Sequence, residues 1–239
     1  IKWDGEYISN KINHQQNSMM ISTSSIPSIN TRNKIIHFGS QYMWIDWYKY
    51  LPKTNKYVVN FYHGKHEDGL EVAKHIDEFL MSVTNIDIIL TASSLIMERL
   101  IKWGVPKEKI VLIPIGVNTK MFKPPSKHNK NKIRQLLNVS SDEFLIGSFQ
   151  KDGNGWEEGL EPKLIKGPDI FVEVVKLLSK KLKVKVLLTG PARGFVKNKL
   201  RSNNIEYLHY FLNSHEDIVK YYQALDLYLI TSREEGGPK

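Results

Sequence analysis

Apolar runs alternate with amphipathic stretches along most of this 239-residue chain. Runs rich in Ile, Val, Leu and aromatic residues predict strands over residues 35–38, 57–62, 87–92, 109–113, 144–149, 184–189, 205–210 and 226–230. Apolar positions at helical spacing predict helices over residues 71–81, 94–103, 168–182, 194–201 and 216–225. Because the strands alternate with helices, the pattern predicts an α/β fold built from βαβ units with mainly parallel sheets.

One segment interrupts this alternation. Residues 122–131 read Phe-Lys-Pro-Pro-Ser-Lys-His-Asn-Lys-Asn, and two prolines within a basic polar tract predict a linker. We therefore expect a Rossmann-like domain over residues 1–120, a linker over 121–134 and a second Rossmann-like domain over 135–239.

The net charge of +9 is concentrated in two tracts. Residues 119–141 hold six Lys or Arg and no acid, and residues 174–205 hold nine and again no acid. These tracts are either solvated basic faces or surfaces that attract nucleotide phosphates or an anionic membrane. No nucleic-acid-binding motif is present, so nucleic acid is not an expected partner.

The amino-acid composition excludes several kinds of functional site. The absence of cysteine excludes disulfides, thiolate nucleophiles and Cys-type zinc sites, and it fits a reducing, cytoplasmic compartment. No apolar run reaches the roughly 18 residues that a membrane helix needs. His66, Glu67 and Asp68 are metal-ligating types in a row, but their spacing is not that of a ligand set, so no metal is expected.

The most informative stretch follows the last predicted strand. Residues 231–237 read Thr-Ser-Arg-Glu-Glu-Gly-Gly, and open α/β sheets bind ligands at the carboxyl ends of their strands. Gly236 and Gly237 would let the backbone approach a phosphate or a sugar oxygen, and Glu235 offers an acceptor for sugar hydroxyls. The end of the chain therefore indicates a sugar- or phosphate-binding site.

This stretch resembles the first half of the Glu-x7-Glu signature of retaining GT-B glycosyltransferases of the group 1, family 4-like type, with Glu235 as the first Glu. Residues 113–124, Ile-Pro-Ile-Gly-Val-Asn-Thr-Lys-Met-Phe-Lys-Pro, are similar to the interdomain segment of that family, and Lys166-Gly167 is similar to its donor-domain Lys-Gly pair. The resemblance runs from about residue 57 to residue 239.

The fold that the resemblance implies is GT-B, in which two Rossmann-like domains with parallel sheets face each other across a cleft. By the same resemblance the chain corresponds to the middle of such an enzyme, with both domains incomplete, and residues 1–239 alone would transfer sugar weakly or not at all. The second signature Glu would fall beyond Lys239.

The resemblance also implies roles for individual residues. Glu235 and His63, the latter in Asn60-Phe-Tyr-His-Gly64, would be catalytic residues that face the donor sugar. The residues that would bind the donor, chiefly its diphosphate and base, are Gln150, Lys151, Lys166, Gly167, Gly190, Tyr210, Gly236 and Gly237. Gln150 stands where many family members have Arg.

The implied activity is transfer of a hexosyl unit from a nucleoside diphosphate sugar, used as substrate, to a glycan or lipid-linked acceptor in polysaccharide biosynthesis, with retention of configuration and no cofactor. Two alternatives stay open: a catalytically inactive nucleotide-sugar-binding module, and a GT-B phosphorylase or epimerase. The basic tracts add a further expectation, namely peripheral contact with the anionic inner face of a membrane.

Overall fold

The computed structural model describes residues 2–15 and 21–235. These residues form two compact α/β units, one up to Gly116 and the other over Val117–Glu235. Each unit contains one sheet of four strands, and every strand pair in both sheets is parallel. The prediction of an α/β fold with parallel sheets is therefore confirmed.

The strands of the first unit are β1 (Ile35–Phe38), β2 (Lys56–Asn60), β3 (Ile88–Thr91) and β4 (Ile110–Leu112), in the order β1-β2-β3-β4. Its helices are α1 (Lys2–Gln15), α2 (Gln41–Trp47), α3 (Leu70–Ser82) and α4 (Ser94–Lys102). Short 3-10 turns cover Tyr48–Tyr50, His66–Asp68, Val83–Asn85 and Lys107–Lys109.

The core of the first unit combines aliphatic residues with several large aromatic ones. Trp44, Phe61 and Phe79 are fully buried, and the Trp44 indole N–H donates to Ser82 Oγ at 2.7 Å. This bond satisfies the one polar group of the indole and joins α2 to the end of α3. Neither α1 nor α2 was predicted from the sequence; the seven-residue α2 is too short to show a helical period.

The strands of the second unit are β5 (Phe144–Ser148), β6 (Val184–Thr189), β7 (Glu206–Tyr210) and β8 (Leu227–Tyr228), in the order β7-β6-β5-β8. Its helices are α5 (Lys127–Leu136), α6 (Pro168–Ser179), α7 (Gly194–Ser202) and α8 (Ile218–Ala224). Leu164–Lys166 and His215–Asp217 form 3-10 turns.

Both faces of the central strands in the second unit are buried. Leu145 and Leu187 pack in one apolar cluster, which includes residues of α5 and α8, whereas Ile146 and Val186 pack in another, with residues of α6 and α7. Burial on two faces explains why these strands are continuous apolar runs rather than alternating ones.

The segment predicted as a linker over 121–134 contains most of α5. Ser126 caps this helix by accepting from the Asn129 amide at 3.2 Å, and Arg134 and Lys130 each form an ion pair with Asp226 at 2.7 Å. Burial alone would raise the pKa of Asp226, but hydrogen bonds from Lys130, a backbone amide and Arg134 outweigh it and lower that pKa. The basic residues that suggested a solvated linker thus include two that hold α5 against the rest of the second unit.

Within the described part of the chain, no helix is both long enough and apolar enough to cross a membrane.

Candidate functional site

The candidate site lies in the second unit, at the carboxyl ends of β5 and β8. From β5 the chain builds β6 and β7 on one side of the sheet and then returns to place β8 on the other side. β5 and β8 therefore flank a topological switch point, where loops diverge and open α/β sheets bind their ligands. The segments that meet there are the loop after β8, residues 229–235, and residues 164–169 at the start of α6.

Backbone contacts hold these two segments together. The Arg233 amide donates to the Ile165 carbonyl at 2.9 Å, and Thr231 Oγ1 donates to the Gly167 carbonyl at 2.8 Å. Gly167 has φ +62°, and a Cβ added there would lie 1.9 Å from the Thr231 carbonyl oxygen. Only glycine fits this conformation and this distance, so Gly167 is required by the packing of the site.

An ion pair also connects the loop after β8 to the start of α6. Both terminal nitrogens of Arg233 contact the Asp169 carboxylate, at 2.9 and 2.6 Å, and Nη1 also donates to the Leu164 carbonyl. The hydrogen bonds from Arg233 lower the pKa of Asp169. A planar guanidinium matches a carboxylate at two points, so the pair fixes the direction in which the loop after β8 leaves the sheet.

Gln150, two residues beyond β5, links both segments. Its amide nitrogen donates to the Lys166 carbonyl at 2.7 Å, and its amide oxygen accepts from Ser232 Oγ at 3.0 Å. Lys166 Nζ lies 2.7 Å from Glu235 Oε1, with 29% and 23% of the two side chains exposed. The structure therefore brings together Gln150, Lys166, Gly167 and Glu235, which sequence analysis had assigned to one site from separate motifs.

The arrangement presents two complementary groups to solvent. Lys166 supplies a cation that can bind phosphate oxygens, and Glu235 supplies a carboxylate that can accept hydrogen bonds from hydroxyls. Because the two groups are in contact, a ligand that carries both phosphate and hydroxyls can engage both at once.

Gly190 and Tyr210 lie along the same edge of the sheet, at the ends of β6 and β7. The Gly190 amide donates to the Tyr210 carbonyl at 3.1 Å, and the Gly190 carbonyl is 2.7 Å from His209 Nε2. Nε2 donates this bond because a carbonyl oxygen can only accept, and burial, aided by nearby positive charge, lowers the pKa of His209. The Tyr210 ring stacks on Tyr221, at 5.2 Å between centroids.

A fully buried ion pair escaped the sequence analysis. Arg193 Nη2 lies 2.9 Å from Asp152 Oδ2 without hydrogen-bond alignment, and Arg193 also donates to the carbonyls of Ser148 and Thr189, the last residues of β5 and β6. Burial raises the pKa of Asp152 and lowers that of Arg193. The sequence does contain a signal for this pair. Asp152 and Arg193 each lie four residues beyond the end of their strands, β5 and β6. Because adjacent parallel strands end at the same edge of a sheet, such positions come close together.

Lys151 contacts an aromatic side chain of the loop that leaves β5. Its Nζ lies 3.8 Å from the centroid of the Trp156 ring, as a cation over an aromatic face. Its assignment to the donor site stays a prediction.

His63 belongs to the first unit. It is exposed beyond the end of β2, its carbonyl accepts from the Gln41 side chain at 2.9 Å, and its ring lies 6.0 Å from that of Tyr42. Its proposed catalytic role stays a prediction. Gly236 and Gly237 lie outside the described residues.

The row of metal-ligating residue types near His66 forms ordinary contacts. His66 Nε2 is 2.9 Å from Asp77 Oδ1, and the Lys65 amide donates to Asp68 at 3.1 Å. Over residues 2–15 and 21–235, no group of three or more His, Cys, Asp or Glu side chains is placed to hold a metal ion.

No family model matches the chain, and no curated protein matches it. Several solved structures are similar to the chain. Sucrose-phosphate synthase from Thermosynechococcus elongatus is similar with a TM-score of 0.64 at 20% identity, over 85% of this chain and 51% of that one. HepE from Anabaena, in complex with UDP and glucose, is similar with a TM-score of 0.64 at 17% identity, over 83% of this chain and 52% of that one.

The catalytic domain of starch synthase IV from Arabidopsis thaliana, bound to ADP and acarbose, gives a TM-score of 0.55 at 13% identity, over 87% of this chain and 54% of that one. The chain thus spans about half the length of each of these three solved structures. Two parallel sheets and these similarities together show that the chain has the fold of the GT-B glycosyltransferases.

Proposed function

We propose that this chain belongs to a glycosyltransferase that moves a hexosyl unit from a nucleoside diphosphate sugar to a glycan or lipid-linked acceptor, with retention of configuration. One observation carries the proposal: Lys166 and Glu235 are in contact at the topological switch point of the second sheet. A phosphate-binding cation beside a hydroxyl-binding carboxylate matches the two chemically distinct parts of a sugar nucleotide.

The reaction breaks the bond between the sugar C1 and the diphosphate oxygen, and an acceptor hydroxyl oxygen bonds to C1 on the same face. The acceptor proton passes to the departing diphosphate, whose developing negative charge Lys166 stabilises. Glu235 holds sugar hydroxyls and so fixes the ring for attack. Retention is proposed from the signature that contains Glu235.

The solved structures support the choice of ligand class. HepE is in complex with UDP and glucose, and the starch synthase domain is bound to ADP. Both ligands share a diphosphate that a lysine can bind, whereas their bases differ. The proposal therefore names a nucleoside diphosphate sugar and leaves the base open.

Calorimetric titration with UDP, ADP and GDP tests the proposal. At least one nucleotide should bind, and Lys166→Ala should weaken its binding about tenfold or more, because a charge-assisted contact is lost. Lys176→Ala is the matched control, since Lys176 also forms an ion pair with a Glu, at 2.9 Å, on an exposed turn of α6. Equal affinity in wild type and Lys166→Ala would refute the assignment.

The type of reaction needs its own assay. The product of transfer from an α-linked donor should carry an α linkage by NMR, and turnover should not depend on inorganic phosphate. An inverted product would contradict retention, and a phosphate requirement would favour a phosphorylase. Nucleotide binding without transfer by the complete protein would favour a binding module.

A further inference from the structure

The side chain of Trp156 is unusual for an aromatic residue so close to a candidate active site. It is 79% exposed, more than any other large hydrophobic side chain among the described residues. Lys151 Nζ covers one face of its ring, so the exposed area includes the opposite face. An exposed indole with one face supported by a cation is a flat surface open to a ligand.

The loop that carries Trp156 has a well-defined backbone. Gly153 and Pro162 form an antiparallel bridge, and the Asn154 amide donates to the Glu161 carbonyl at 2.9 Å. At the tip, the carbonyls of residues 157, 158 and 159 accept hydrogen bonds from the amides of residues 192, 194 and 195, respectively, around the start of α7. A Cβ at Gly159 would lie 2.5 Å from the Ala192 carbonyl oxygen, so the loop packs closely on the fold.

Both ends of this loop lie in the candidate donor site. It begins after Gln150, whose side chain contacts Lys166 and Ser232, and it ends in the turn Leu164–Lys166. Trp156 is six residues from Gln150, so their Cα atoms are at most about 22 Å apart. The indole therefore lies within a few sugar units of the place proposed for the donor.

The exposed charges of the loop that carries Trp156 are mostly acidic, whereas the chain carries a net charge of +9. Glu157, Glu158 and Glu161 are exposed in this loop, which also contains two cations, the exposed Lys163 and the Lys151 that covers one face of the ring. The excess of carboxylates disfavours nucleotide phosphates, sulfated glycans and anionic lipid. Carboxylates do accept hydrogen bonds from neutral hydroxyl groups, and the C–H face of a sugar ring packs well against the electron-rich face of an indole.

We propose that Trp156, with the carboxylates of Glu157 and Glu158, is a binding platform for an uncharged glycan acceptor. The proposal rests on the glycosyltransferase function proposed above and names the acceptor class for it. Hydrogen bonds fix the backbone of this loop, so ordering the loop costs little free energy when the glycan binds.

The test follows the indole N–H resonances of the complete protein by 15N NMR, with Trp156→Phe assigning the Trp156 signal. Neutral oligosaccharides of glucose, galactose, mannose and N-acetylglucosamine are titrated at millimolar concentration, followed by a sulfated oligosaccharide and UDP. At least one neutral oligosaccharide should shift the Trp156 resonance. Trp156→Ala should then weaken its binding about tenfold, and Trp156→Phe, which keeps a ring, by less.

Three controls separate the possible outcomes. Leu136→Ala removes another highly exposed apolar side chain of the same unit and should leave glycan binding unchanged. Glu157→Gln with Glu158→Gln should reduce the preference for neutral over sulfated oligosaccharide. Thermal unfolding of Trp156→Ala should match wild type, because an exposed side chain contributes little to stability.

The proposal is overturned if no neutral oligosaccharide shifts the Trp156 resonance, if the sulfated one binds more tightly, or if UDP alone shifts it. The last result would instead assign the indole to the nucleotide base. Calorimetric UDP binding that depends on Lys166 is measured on the same samples, so a failure of the donor site is recognised separately from a failure of the glycan platform.

Discussion

The contact between Lys166 and Glu235 predicts that removing the carboxylate of the candidate site will strengthen nucleotide binding. Lys166 Nζ is 2.7 Å from Glu235 Oε1, so a diphosphate must compete with Glu235 for the same ammonium group. Glu235→Gln keeps the size and shape of the side chain and removes its charge. The variant should therefore leave Lys166 more available to phosphate oxygens.

The magnitude follows from the exposure of the pair. With 29% and 23% of the side chains exposed, the pair belongs near the upper end of partly solvated ion pairs, about 1 kcal/mol. Loss of that competition corresponds to about fivefold tighter binding of UDP, ADP or GDP, whichever the protein prefers. Sugar transfer should fall about tenfold or more in the same variant, because Gln accepts hydrogen bonds from sugar hydroxyls less strongly than a carboxylate does.

Calorimetry measures the first effect and initial transfer rates measure the second. The control is Glu173→Gln, which removes the carboxylate that contacts Lys176 Nζ at 2.9 Å in an exposed pair and should change neither quantity. The difference between wild type and Glu235→Gln should shrink as salt rises, because ions screen the pair. Weaker nucleotide binding by Glu235→Gln would refute the reasoning, since it would show that Glu235 supports the nucleotide rather than competes with it.

Three further changes test the framework of the site by chemical denaturation. Asp152→Asn should lower the free energy of unfolding by about 3 kcal/mol, because it leaves Arg193 charged and fully buried; no change in the denaturation midpoint would contradict this account. Gly167→Ala should cost about 2 kcal/mol or more and abolish nucleotide binding, because its Cβ overlaps the Thr231 carbonyl; wild-type stability would refute that close approach. The pKa of Asp226 is lowered from 3.8, so its stabilisation is present at neutral pH and is lost as pH falls below that value. Asp226→Asn should therefore be less stable than wild type by about 2 kcal/mol at pH 7, with a smaller difference at pH 3; a constant difference would contradict the lowered pKa.

The central strands were the most predictable part of this protein. Strands buried on both faces need continuous apolar runs, so residues 184–189 were predicted with the bounds that β6 has in the structure. The last strand was predicted over residues 226–230 and spans only Leu227–Tyr228, because β8 pairs on one side with β5 at two positions. A run of apolar residues does not show how many of them find a partner strand.

Helices with unusual composition were less predictable. α5 lies in a segment that two prolines and several lysines mark as a linker. Its stability depends on the Ser126 cap and on ion pairs from Lys130 and Arg134 to Asp226, some 90 positions further along the chain. The residue pattern within α5 does not indicate that Asp226 is the partner, because these ion pairs form only after β8 has joined the sheet.

The candidate site likewise has a part that the sequence predicts and a part that it does not. The residue types of Lys166, Gly167 and Glu235 follow from short motifs, and the expectation that they lie at strand ends follows from the apolar runs before them. That Gln150 ties Lys166 to Ser232 could not be predicted, because an amide side chain has the same appearance in a sequence whether it binds a ligand or the protein. The position of Trp156 likewise depends on backbone contacts of its loop with α7.

By itself, the sequence determined the alternation of strands and helices, the parallel α/β class and the chemical groups available at the carboxyl ends of the strands, because these depend on the order of residues along the chain. Only the tertiary structure decided which groups meet. The strand order β7-β6-β5-β8 brings residues 150, 166 and 235 to one point, and the packing of Gly167 against Thr231 holds them there. Contacts between residues far apart in sequence form only when the sheet is assembled, so ion pairs such as those of Lys166 with Glu235 and of Asp152 with Arg193 are properties of the fold.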